Sequence, residues 1–113
     1  MAKNIAVVIQ EDPRTTHRPV EALRIALGLV AGSHNTTVVL LGEAVRLLTN
    51  DTDDVIDLDI LEKYLPSIEQ LEIPFILPKS FEISTLSGEF RVRCESEDVV
   101  AAVVQSMDCT LIF

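Results

Sequence analysis

The stretch 5–30, IAVVIQEDPRTTHRPVEALRIALGLV, restricts the possible folds more than any other. Its first five residues form a short apolar run, which suits a strand buried on both faces. A polar break follows at 10–18. Apolar residues then recur at Val20, Leu23, Ala26, Leu27 and Val30, the three-and-four step of an amphipathic helix. Pro19 fits the first helical turn, where its missing N–H costs nothing. Strand, polar loop and helix make the first half of a βαβ unit. In open parallel sheets ligands sit beyond the carboxyl ends of the strands, so loop 10–18 is the first place to expect function.

The same alternation continues to Phe113. Gly32 is expected to close the first helix in a left-handed conformation. Residues 36–41 (TTVVLL) read as a second buried strand and 43–48 as a short helix. From about Asp57, Leu58, Leu61, Tyr64, Leu65, Ile68 and Leu71 fall on one helical face, with Pro66 expected to kink or split that helix. Residues 73–77 read as a third strand. The stretch 81–88 is the least regular, and Phe81, Ile83 and Leu86 are expected to tuck inward. Residues 89–94 alternate, with Phe90, Val92 and Cys94 opposite the arginines, as in a half-exposed strand at a sheet edge. Ser96 is placed to cap a last helix whose Val99, Val100, Val103, Val104 and Met107 face inward, with Glu97 and Asp98 complementing its dipole. Residues 109–113 (CTLIF) read as a fifth strand. Strands alternating with helical segments predict an α/β fold with a parallel sheet covered on both faces.

A chain of 113 residues is most simply one domain, 1–113. Aromatic residues make up only 4%, so its core must be aliphatic. No apolar run reaches the length of a membrane span, and the short one at 5–9 leads straight into a polar loop, unlike a signal peptide. The chain therefore reads as cytoplasmic. A formal net charge of −9 argues against nucleic acid and anionic membrane surfaces as partners, since both need clustered Lys and Arg. Two cysteines do not make a disulfide framework, and His17 and His34 stand apart, so neither a metal nor a cofactor is expected.

Three constellations carry candidate chemistry. In loop 10–18, Asp12, Arg14, His17 and Arg18 stand near a helix N-terminus, where a small ligand or anion could be held. The bland alternative is a solvated connection shaped by Pro13. No Gly-rich phosphate cradle is present. Asp residues between 51 and 59 lack the Gly and Glu of a calcium loop and read as helix-capping acids. Cys94, at the end of the fourth strand, could act as a nucleophile or persulfide carrier if its pKa were lowered, or could be a small buried hydrophobe. Cys109 is expected in the core. A receiver domain would share this layout but needs an Asp ending strand three and a Lys after strand five; strand three here ends Leu77-Pro78-Lys79.

The chain resembles the DsrE/DsrF-like family, whose members include the sulfur-relay subunits TusB, TusC and TusD. The resemblance lies in the apolar first strand with its Pro-containing loop, in residues 21–27 (EALRIAL), in 38–45 (VVLLGEAV), and in the closing helix and strand from Ser96 to Phe113. It implies a three-layer α/β/α sandwich over a five-stranded parallel sheet. It also implies assembly into homo-oligomers or hetero-oligomers with related subunits. Active members pass persulfide sulfur through a Cys just after strand three, where this chain has Leu77, Pro78 and Lys79. The resemblance thus implies a non-catalytic partner subunit of a sulfur relay or related complex, engaging a sulfur-carrier protein. Two alternatives stand beside it. One is a thiol sulfurtransferase using Cys94. The other is a small-ligand module built from Asp12, Arg14, His17 and Lys79, in a crevice between loop 10–18 and residues 78–80.

Overall fold

The computed structural model describes residues 2–113 and contains a five-stranded, all-parallel sheet in the order β4-β3-β2-β1-β5. The strands are β1 (Asn4–Ile9), β2 (Asn35–Leu40), β3 (Phe75–Pro78), β4 (Val92–Glu95) and β5 (Cys109–Ile112). The helices are α1 (Arg18–Ala31), α2 (Leu58–Gln70) and α3 (Glu97–Gln105), with 3-10 segments at Gly42–Leu48 and Ile83–Thr85. Every step from β1 to β4 moves one strand in the same direction. Right-handed crossovers therefore put α1, the Gly42–Leu48 segment, α2 and loop 79–91 on one face. The step from β4 back to β5 reverses direction, so α3 lands on the opposite face. The three-layer sandwich follows from that single reversal.

The first face is deeply packed. Val7, Ile9, Val38, Leu40, Phe75 and Leu77 project from the strands onto Leu23, Leu47, Leu61 and Ile68. Phe75 meets Phe90 edge to face, with ring centroids 6.5 Å apart. On the second face only Val8, Val39 and Ile76 are buried, against Val100, Val103 and Val104 of α3.

Several local outcomes differ from the sequence reading. Ser33, not Gly32, takes the left-handed conformation after α1 (φ 68°; Gly32 has φ −81°). Its N–H donates to Val30 O while that of His34 donates to Leu29 O, so the helix-closing bonds offset the cost of a side chain there. The short helix expected at 43–48 is a 3-10 segment, in which Ala44 and Leu47, three apart, stack on the core side. Of the two outcomes expected at Pro66, the split does not occur: α2 runs through it, and Leu61 and Ile68 on either side bury into the same core. Ile83 is 56% exposed, whereas Phe81 and Leu86 do pack inward. Val100, Val103 and Val104 of α3 do pack inward on Val8, Val39 and Ile76, but no residue of that helix is buried and Val99 is exposed. Cys109 is exposed, because it opens β5, an edge strand of the sheet.

Candidate functional site

Loops leaving adjacent strands toward opposite faces leave a crevice between them. In this sheet that happens at β3 and β4: loop 79–91 leaves β3 toward the α1/α2 face, and α3 leaves β4 toward the other. The crevice at that switch point opens into a groove of about 760 Å³. Lys79 and Ser80 after β3, and Glu95 and Glu97 after β4, form its polar end. Val8, Val39, Leu41, Val104 and Ile112 make it apolar beneath the flank of α3. Ser96 shapes the rim, since its side chain accepts from the Val99 N–H and starts α3 at that point. Gly42, with φ +56°, lets the chain turn sharply out of β2 beside the same groove. A hollow of about 810 Å³ lies instead at the amino ends of β3 and β4, edged by Glu69, Glu72 and Glu89. It is away from the strand termini where ligands collect in such sheets.

Lys79 is the only one of the sequence candidates in the groove. Asp12 and Arg14 are tied to one another above the Gly42–Leu48 segment. Arg14 Nε and Nη2 donate to the two carboxylate oxygens of Asp12, the shorter contact being 2.8 Å. Arg14 also lies 3.6 Å from Glu43, which accepts from Arg46 at 2.6 Å, and Arg46 pairs in turn with Asp51. The Arg14 guanidinium, through its side-chain bonds, holds the Asp12 carboxyl down at about 2. Glu43, pulled in beside it, raises Arg14 further, after Asp12 itself. A guanidinium so enclosed by carboxylates clamps the loop; it offers little to a further anion. Ile56 N–H donating to Pro13 O fastens the loop from another side.

His17 precedes α1 without capping it through its side chain. Its neighbour Arg18 pairs with Glu11 at 2.7 Å and lies 5.8 Å over the Phe113 ring. Cys94 is half-buried and packs on the α1/α2 face, away from the groove. Two strands separate β4 from β1, roughly 14 Å between their axes at the usual spacing. Cys94 and loop 10–18 both lie at the carboxyl edge of the parallel sheet, but two strands stand between them, so they are not neighbours. Nor does loop 10–18 line the groove that holds Lys79. Among the described residues, no three His, Cys, Asp or Glu side chains converge as metal ligands.

Ala101, Thr110 and Ile112 line the groove without having been singled out in the sequence. The signal was there in the composition of 99–113, where only Asp108 carries a charge, although 24% of the chain is charged.

No family model matches the chain, and no curated protein sequence matches it significantly. Among solved structures, the crystal structure of the ychN protein from E. coli is similar to it, with a TM-score of 0.74 at 18% identity over 100% of both chains. A likeness of that depth and extent shows the fold: a DsrE-like α/β sandwich on a five-stranded parallel sheet.

Proposed function

We propose that the chain is a DsrE-like subunit of a sulfur-relay or related complex that assembles with copies of itself or with related subunits and does not carry sulfur itself. One observation carries this reading: β3 ends at Pro78 and leads into Lys79-Ser80 at the switch-point crevice, where a carrier of this fold would need a thiol. Neither cysteine replaces it. Cys94 packs on the other face of the sheet, and Cys109 opens β5, at the end of that strand remote from the crevice. An ammonium group there cannot form a persulfide, but it can attract the thiolate or anionic sulfur of a partner.

The test is loading with a persulfide donor followed by intact-mass measurement. The reading expects no transferable sulfur on the protein. An added sulfur on Cys94 that passes to an acceptor thiol would overturn it in favour of a thiol sulfurtransferase.

A further inference from the structure

Two edges of the sheet are open, and they differ in charge. On β4, Arg91 and Arg93 project as exposed side chains around the edge strand. Charges of that kind keep edges from pairing, and across a two-fold axis each arginine would meet its own copy. On β5, Cys109, Thr110, Leu111 and Ile112 carry no charge at all. Phe113 donates to Val8 O and its carbonyl accepts from Gln10, so it faces β1. By the alternation of a parallel ladder, the N–H and C=O groups of Ile112 and Thr110 point outward.

The helix beside that edge carries Glu97 and Asp98 in its first turn and no charge from Val99 onward. Val99 (39% exposed), Ala101 and Ala102 are exposed, no residue of α3 is buried, and Ile112 is 58% exposed. Asp108, the one charged residue of 99–113, accepts from the Asn4 N–H through its carboxylate. Two copies of a chain with net charge −9 repel each other wherever they meet through charged surface. An uncharged, apolar patch beside an unprotected edge is where that repulsion is least and burial gains most.

We infer that the α3–β5 surface is the contact between two copies of this chain, with β5 antiparallel to the same strand of its mate across a two-fold axis. The pairing joins two sheets into one of ten strands. It sets both α3 helices on the same side, so that Ala101, Val104 and Ile112 of each copy close the apolar groove from its open flank. Backbone pairing supplies the register and side-chain burial the adhesion. This inference rests on the assembly half of the function proposed above and names the surface and the partner.

The test compares three proteins by size-exclusion chromatography with light scattering: the parent, Ile112→Lys and Ile83→Lys. Hydrogen exchange is followed at the Thr110 and Ile112 amides. The parent is expected at twice the mass of the chain or a multiple of it. Ile112→Lys should fall to the monomer, and Ile83→Lys, equally exposed elsewhere, should not. The two amides should exchange at least about tenfold more slowly in concentrated than in dilute parent protein. Ala101→Arg, on the exposed side of α3, should reproduce the loss should Ile112→Lys fold poorly. A monomeric parent at high concentration overturns the inference. So does an associated parent that Ile112→Lys and Ala101→Arg leave intact, with both amides exchanging freely. In that last case the chain still assembles, through another surface, and the sulfur-loading result stands or falls separately.

Discussion

The two faces of the sheet are covered in different ways. Over one lie α1, α2 and the Gly42–Leu48 segment, which bury Leu23, Leu47 and Leu61 completely and carry their charges outward as pairs such as Arg14–Asp12 and Arg24–Glu21. Over the other lies α3 alone, four valines and two alanines in nine residues, with none buried. Apolar content is therefore not what separates the two faces. Extent is: a single helix is about 10 Å across, whereas five strands span roughly 19 Å. One helix is too narrow for its sheet and leaves apolar surface for something else to cover.

The sharpest way to break this comparison is to truncate one side chain on each face. Leu61→Ala should cost about 2–5 kcal/mol in chemical denaturation of dilute protein, since the site is fully enclosed. Val104→Ala, half-exposed over the other face, should cost about 1 kcal/mol or less. Equal losses would contradict the unequal packing.

Gly42→Ala comes next. No atom lies within 4 Å of the added carbon, so the loss of about 1–2 kcal/mol would come from the backbone at φ +56° alone. An unchanged midpoint would mean the turn out of β2 adopts another conformation. Ser96→Ala should cost ~0.5–1 kcal/mol, because the cap it removes is a long bond, 3.4 Å, at the start of the lightly held helix.

The smallest effect concerns the clamp on the well-packed face. Asp12 titrates at about 2 in the folded protein against an ordinary 3.8. The unfolded chain therefore takes up the proton first. The clamp's contribution is complete above about pH 4 and is lost as pH falls toward 2. Asp12→Asn should lower stability slightly above about pH 4 and converge with the parent as pH falls toward 2, so that the acid limb flattens in that window. A variant that loses stability equally at all pH values would show that charge is not what matters there.

Much of the fold was legible in the chain because burial on both sides leaves a plain mark. The run at 5–9, the β-branched TTVVLL and the cap at Ser96 all form the elements they suggest. Periodicity does not carry strand order, and strand order decides which loops are neighbours. That is why loop 10–18 looked like the site, while the crevice lies between β3 and β4. Arg14 looked like an anion receptor for a related reason: a sequence does not reveal that Asp12 and Glu43 occupy its donors. Valines at helical spacing read as core in both α1 and α3. Only the geometry shows that α3 has too little sheet contact to bury them.

The dependence of the thermal midpoint on protein concentration tests the central claim most directly, since association of folded chains raises it by mass action. The parent's midpoint should climb over a roughly hundredfold rise in concentration, and that of Ile112→Lys should stay flat. A parent midpoint that does not move over the same range would mean that nothing covers the α3–β5 surface, and the account of the uneven sandwich would be wrong.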